Sequence, residues 1–266
     1  MPALRVADVE LFYRERGEGP PLLLLPGHGT DSVYWGLQLA GLAAEFRVLA
    51  LDHRGTGRSS RGTAPLTVER MAGDALGVLD ALGIGSTHLL GHSMGGLIAQ
   101  ALALHAPERV RRLVLAATFC RVPARARFMA GLRGEILARL GARAYATLMM
   151  AWSYTLGFFE ARGQEALEFR ERWVRHLERL PLDPRVLAEQ AEAVAALDLS
   201  ERVRALACPT LVLVGEEDWL TPPALARELA ERIPGARLQI LPGAGHALHI
   251  ERAPEFNATV RAFFLG

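Results

Sequence analysis

Leu89-Leu90-Gly91-His92-Ser93-Met94-Gly95-Gly96 is the stretch whose reading decides the fold. Thr87 to Leu90 is an apolar run with the character of a buried strand, and Leu97 to His105 suits a helix. Between them there is room only for a tight turn, with Ser93 at its apex. Gly91 and Gly95 stand two residues before and after it, where strand and helix backbones approach too closely for side chains. The plainer alternative is a glycine-rich turn without chemistry, since Gly and Ser are common residues.

Outward from this turn, the chain alternates strand and helix signals. Residues 4–13 read as a short antiparallel hairpin around an Ala-Asp turn, and Leu22 to Leu25 as a buried strand. A turn-rich loop at 26–32 leads to a helix from Trp35 to Ala44, and Phe46 to Leu51 is the next strand, ending in Asp52-His53-Arg54-Gly55. Thr67 caps a helix with apolar residues at helical spacing from Val68 to Leu82, and Leu113 to Ala117 is a strand. Repeated βα units with short loops imply a parallel sheet covered by helices on both faces. The loops at 26–32, 52–60, 91–95 and 118–121 are then expected on one sheet edge, where ligands of such sheets bind.

From Cys120 to Leu199 the strand signal disappears and helical patterns replace it, with Asp183 as a cap and Pro184 opening a helix. We read an all-helical insertion over the converging loops. It carries Met129, Met149, Met150, Trp152, Tyr154, Phe158 and Phe159, of which a subset must face the space beneath. Alternation then resumes with a strand at Thr210 to Val214, a loop at 215–220, and a helix start at Thr221-Pro222-Pro223 with Thr221 as its cap. A strand at Arg237 to Leu241, a loop ending at His246 and a helix from Pro254 to Phe264 complete the chain.

Composition narrows the function classes. The 266 residues fit one large α/β domain or two small ones, and half are hydrophobic, ample for a core. Thirty basic residues balance twenty-nine acidic ones, which gives no reason to expect nucleic acid or an anionic membrane as partner. All thirty are Arg, which excludes Lys as a Schiff-base or general-base residue. Cys120 and Cys208 fit neither a metal spacing nor a disulfide framework and read as reduced thiols. With no signal-peptide core and no long apolar stretch, a cytoplasmic protein, monomer or homodimer, is expected.

A serine hydroxyl is a weak nucleophile at neutral pH and needs a general base, which needs a group to fix its tautomer. His246, in a Gly-rich loop after the last strand, is the candidate base, with His249 as substitute. Asp218, after the strand 210–214, is the candidate acid; Glu216 and Glu217 lie closer to the strand end. Attack on a carbonyl also requires backbone N–H donors for the oxyanion, each worth about 3–4 kcal/mol. Met94 and His28 are the candidate donors. Asp52-His53-Arg54-Gly55 reads as a structural turn, because its carboxylate has no catalytic partner evident in the sequence.

Together, Leu22-Leu-Leu-Leu-Pro-Gly-His-Gly, Asp52-His-Arg-Gly-Thr-Gly-Arg-Ser, Gly91-His-Ser-Met-Gly-Gly, Gly215-Glu-Glu-Asp and Gly245-His resemble the α/β-hydrolase superfamily, as does the chain order Ser, Asp, His. Gly29-Thr-Asp, Trp35, Gln38, Phe46-Arg-Val-Leu and Asp218 leading to Thr221-Pro-Pro look like its 3-oxoadipate enol-lactonase branch. The resemblance implies a cofactor-free and metal-free Ser-His-Asp enzyme with a mostly parallel central sheet and a helical cap. Its core would comprise 1–119 and 200–266, and its cap 120–199.

The substrate implied is a small-molecule ester or lactone, with cleavage of a C–C bond in a meta-cleavage product as the alternative. A hydrolase-like ligand-binding protein without turnover is a third reading, disfavoured by the intact triad. Trp152, Phe158 and Trp219 are candidate pocket residues. Between Arg109 and Arg133 there are seven Arg and no acid, from which Arg121 or Arg125 is expected to pair with a substrate carboxylate. The alternative for that run is a solvated basic face.

Overall fold

The computed structural model describes residues 3–266. Its strands are β1 (Ala3–Val6), β2 (Val9–Arg16), β3 (Pro21–Leu25), β4 (Arg47–Leu51), β5 (Thr87–His92), β6 (Val110–Ala116), β7 (Thr210–Gly215) and β8 (Arg237–Leu241). They form one sheet in the order β1-β2-β4-β3-β5-β6-β7-β8. The β1–β2 and β2–β4 pairs are antiparallel and the other pairs are parallel.

The apolar run of β3 explains why this sheet needs cover on both sides. Leu23 and Leu25 point into one hydrophobic cluster, Leu22 and Leu24 into another, and all four are fully buried. Helices α1 (Gly36–Gly41), α2 (Val68–Ala81) and α3 (Met94–His105) follow the first strands. The first cluster takes the apolar face of α2 and α3, and the second takes Trp35, Leu39 and Leu42.

The helix expected over 35–44 is shorter than its sequence suggests. A single 3-10 turn (Ser32–Trp35), capped by the Asp31 carboxylate accepting from Val33 N at 2.9 Å, precedes α1. Glycines at both ends of α1 are poor helix formers and limit it.

Between β6 and β7 lie α4 (Ala124–Phe128), α5 (Leu132–Ser153), α6 (Leu156–Arg162), α7 (Gln164–Arg179) and α8 (Pro184–Ala195). The two ends of this helical segment meet at a neck. Leu199 N donates to Cys120 O at 2.8 Å, and Arg121 bridges to Asp198 in antiparallel fashion. Three helices, α9 (Pro223–Arg232), α10 (Leu248–Glu251) and α11 (Ala253–Leu265), complete the chain. Among the described residues no helix is long and apolar enough to cross a membrane, and no cluster of His, Cys, Asp or Glu is placed to hold a metal ion.

The Asp52 turn is held as a structural unit. Its carboxylate accepts from Ser32 N at 2.7 Å and Arg58 N at 2.9 Å, so it ties the loop after β4 to the loop after β3. Arg54 is fully buried and donates twice to Asp74 of α2, each time at 2.7 Å. A buried pair of this kind is costly to break, because the surviving charge is left uncompensated.

Candidate active site

The turn at Ser93, an elbow between β5 and α3, is tighter than the sequence suggests. β5 runs on to His92 and α3 starts at Met94, so Ser93 alone makes the turn, at φ 55 and ψ −118. Gly91 and Gly95 belong to the ends of these elements rather than to a loop. A Cβ on Gly91 would lie 2.2 Å from Gly95 O, and one on Gly95 would lie 2.1 Å from Leu25 O. No side chain fits at either position, and the contact of Gly95 with Leu25 and Pro26 seats the elbow against the loop that follows β3. Ser93 is pinned further by its N–H donating to Ala116 O at 2.9 Å and its carbonyl accepting from Thr118 Oγ1 at 2.7 Å.

The structure brings Ser93, His246 and Asp218 together at the carboxyl ends of β5, β7 and β8. His246 Nε2 lies 3.1 Å from Ser93 Oγ, and His246 Nδ1 lies 2.9 Å from Asp218 Oδ2. A proton on Nδ1 is donated to the carboxylate, which leaves Nε2 free to accept from the serine hydroxyl. Asp218 is almost fully buried, whereas Glu216 and Glu217 are exposed. Burial opposes ionisation of Asp218, but the His246 imidazole and hydrogen bonds from Thr221 outweigh it and hold the carboxyl below its usual range. His249 is fully buried and packs on Tyr34, Trp35 and His92, away from Ser93 Oγ.

Thr221 is not the helix cap that its Thr-Pro-Pro pattern predicts. Pro222 occupies the cap position of α9, and the Thr221 hydroxyl donates to Asp218 Oδ2 at 2.6 Å while lying 3.2 Å from His246 Nδ1. Asp218 Oδ1 also accepts from Leu220 N and Thr221 N, at 2.9 and 2.8 Å. An aspartate bonding to amides just ahead of it competes with capping, and here the local turn wins.

Met94 and His28 flank the same point. Met94 N follows Ser93 directly at the start of α3, and a Cβ on Gly27 would lie 3.3 Å from Ser93 Cβ, so the residue beside His28 abuts the serine. The next amide, Gly29 N, donates to Gln190 Oε1 at 2.9 Å. The His28 ring donates from Nε2 to Leu187 O at 2.8 Å, and its Nδ1 lies 3.4 Å from Arg133 Nη1.

Two cavities open onto Ser93 between the sheet edge and the helical segment. The larger, about 350 Å³, is walled by aromatic and aliphatic groups including Tyr34, Tyr145, Met149, Tyr154, Phe169 and Trp173. The smaller, about 110 Å³, lies beneath α4, α5 and α8 and includes Phe119, Met129 and Leu187. His28, Ser93, Arg133 and His246 line both.

Four of the five expected pocket residues lie outside these cavities. Trp152 and Trp219 pack edge-to-face on each other with ring centres 6.4 Å apart, and Phe158 packs on Tyr154 at 4.5 Å. Arg121 is exposed and pairs with Glu228 at 2.9 Å. Arg125 lines the smaller cavity, with its guanidinium 4.7 Å above the Trp219 ring. Sequence reasoning passed over Tyr34, Tyr145, His176 and Arg133 as lining residues. For Arg133 the signal was present, because it closes the acid-free arginine run.

His92, behind the triad, donates from Nε2 to His246 O at 2.9 Å. Burial is the main reason that several imidazoles ionise only below the usual value of 6.5: His28 and His92 at about 3, His53 and His88 at about 4, and His249 well below 6.5. Below pH 6.5 the unfolded chain takes up protons at these five sites that the folded chain refuses. Their contribution to stability is therefore full above that pH and falls with it. Asp52, raised by burial and by Asp31 to about 6, acts in the opposite sense, as do Glu251 and His176, but these are three groups against five. The urea midpoint is expected to be lower at about pH 5 than at about pH 7. An equal or higher midpoint at the acid end would mean that the imidazoles are not buried in neutral form.

A serine, an imidazole and a carboxylate in hydrogen-bonded sequence at the carboxyl edge of a parallel sheet define a nucleophilic hydrolase arrangement of the α/β type. The profile of the alpha/beta hydrolase fold family matches residues 20–253, and the chain belongs to that family. It is 34% identical, over 99% of both chains, to the protein of Caulobacter sp. (strain K31) named "Putative carbamate hydrolase RutD". The crystal structure of the enol-lactonase from Burkholderia xenovorans LB400 superposes with a TM-score of 0.89 at 34% identity, covering 100% of each chain. That of the meta-cleavage product hydrolase CumD from Pseudomonas fluorescens IP01 gives 0.85 at 25% identity, covering 99% of this chain and 97% of the other. Family and relatives together make this protein a hydrolase.

Proposed function

We propose that the protein is a serine hydrolase that cleaves a small carboxylic ester or lactone through an acyl-enzyme on Ser93. The observation that carries this reading is the unbroken chain from Ser93 Oγ to His246 Nε2 at 3.1 Å and from His246 Nδ1 to Asp218 Oδ2 at 2.9 Å. In this reading His246 takes the hydroxyl proton as Ser93 attacks the carbonyl, and Asp218 holds the imidazole in the right tautomer and stabilises the imidazolium. The N–H groups of Met94 and His28 receive the oxyanion; the engagement of Gly29 N by Gln190 leaves His28 as the donor on that loop. His246 then returns the proton to the leaving alkoxide, and a water activated by the same imidazole releases the acid. No cofactor takes part.

The helical segment acts as a cap, and its apolar cavity wall favours a partly apolar substrate. The enol-lactonase supports the lactone branch of this reading, and the name of the Caulobacter relative adds carbamates to the acyl compounds worth testing. The meta-cleavage product hydrolase keeps C–C cleavage by the same triad as the alternative.

Fluorophosphonate labelling followed by peptide mapping is expected to place the adduct on Ser93. Folded protein that takes no label would overturn both enzymatic readings in favour of a ligand-binding protein. A panel of p-nitrophenyl esters, enol-lactones, carbamates and ring-fission dienones then separates the substrates; turnover of the dienones alone would move the assignment to C–C cleavage.

A further inference from the structure

Of the seven arginines from Arg109 to Arg133, four are engaged by groups of the core away from Ser93, Arg127 is exposed, and Arg125 reaches only the smaller cavity. Arg109 pairs with Asp80 at 2.7 Å, Arg111 donates to Ser86, and Arg112 donates to Phe263 O. Arg121 pairs with Glu228, and Arg125 stacks on Trp219. Arg133, in the first turn of α5, is different: it lines both cavities beside Ser93 and His246.

Among the described residues no carboxylate lies within ion-pair distance of Arg133. Its contact is with His28 Nδ1, at 3.4 Å, and the groups that favour its charge are the phenols of Tyr145 and Tyr34. The main cavity does contain an acid, Asp31, but that carboxylate is taken by His176 Nε2 at 2.6 Å and by Val33 N at 2.9 Å. Arg133 is partly buried, and a cation withdrawn from water without a counter-charge is destabilised, yet a guanidinium stays protonated regardless. Burial does lower the pKa of Arg133, the direction expected for a charge that lacks an acidic neighbour. Because His28 donates to Leu187 O through Nε2, its Nδ1 accepts from one N–H of Arg133, and the rest of the guanidinium fork faces the cavities. A planar fork in a partly dry site matches a carboxylate, whose two oxygens accept in parallel.

We propose that Arg133 binds a carboxylate of the substrate, so that the preferred ester or lactone is one that carries a free acid beside its scissile bond. This specificity rests on the hydrolase reading given above. It differs from the sequence expectation in its residue, since Arg121 is exposed and paired with Glu228, and Arg125 lines only the smaller cavity, stacked on Trp219.

The test compares mono(p-nitrophenyl) glutarate with its glutaramate counterpart, in which a primary amide of the same shape replaces the free acid. The acid ester is expected to have a kcat/KM about 10- to 100-fold higher, mostly through KM. In Arg133→Gln and Arg133→Met that ratio is expected to collapse to near one, and Arg133→Lys to keep part of it. Phosphonate titration counts intact sites in each variant, so misfolding is not read as lost recognition. A ratio near one in the unaltered protein, or equal losses on both esters in the variants, would overturn the proposal; equal losses are what a role confined to orienting His28 produces.

Recognition is also read without turnover, by calorimetry of the Ser93→Ala protein with the corresponding methyl esters. Preference for the acid there, with neither ester hydrolysed by the unaltered protein, would sink the hydrolase reading and leave carboxylate binding standing. Absence of the preference in a protein that does hydrolyse esters would sink only the role of Arg133.

Discussion

Ser93→Ala is expected to lower kcat by about 10⁴- to 10⁶-fold while leaving KM and thermal stability nearly unchanged. The hydroxyl has one partner, His246 Nε2, and every further hydrogen bond of the residue is made by its backbone, to Ala116, Gly96 and Thr118. Alanine thus keeps the elbow and removes only the nucleophile. The residual rate reflects the oxyanion donors and the binding of substrate near them. Steady-state turnover of the best ester or lactone, with phosphonate labelling in parallel, is the measurement. An alanine variant within about tenfold of the unaltered protein would remove Ser93 as the attacking group.

Asp218→Asn is expected to cost about 10⁴-fold in kcat with the fold intact. Its Oδ1 interactions with Leu220 N and Thr221 N survive in the amide. The change falls on the atom facing His246: an NH₂ there donates to Nδ1 instead of accepting from it, which forces the proton onto Nε2 and turns a donor toward Ser93 Oγ. The Thr221 hydroxyl, which donates to Oδ2, also loses its acceptor. Slower phosphonate labelling, in step with the fall in kcat, would locate the defect in activation of the serine. A variant with undiminished labelling would show that His246 does not depend on Asp218 for its tautomer.

The parts of the fold and site legible in sequence share a cause: local spacing dictates them. Buried parallel strands read as continuous apolar runs because both faces are covered, as Leu22 to Leu25 show. Glycines flanking Ser93 mark a close backbone approach, and strand-end loops carry Asp218 and His246 within reach of one another because a parallel sheet puts those ends on one edge.

What was not legible depends on rotation and packing. Arg121, Arg125 and Arg133 share one acid-free run, and their spacing does not say which of them packs beside Ser93 in both cavities. Trp152 and Phe158 sit on helices between β6 and β7, where they pack on Trp219 and Tyr154. Thr221 failed for a different reason. Its Thr-Pro-Pro pattern fits a cap as well as it fits a turn over Asp218, and only the position of the carboxylate distinguishes them.

The backbone of Ser93, at φ 55, limits how this site can change over evolutionary time. Residues branched at Cβ avoid positive φ, so threonine, the other aliphatic hydroxyl, is a poor exchange there although its oxygen is chemically equivalent. Drift at this position therefore has no gentle route between two alcohols, and a change of nucleophile must pass through an unbranched side chain. The turn screens candidates by shape before reactivity is put to use.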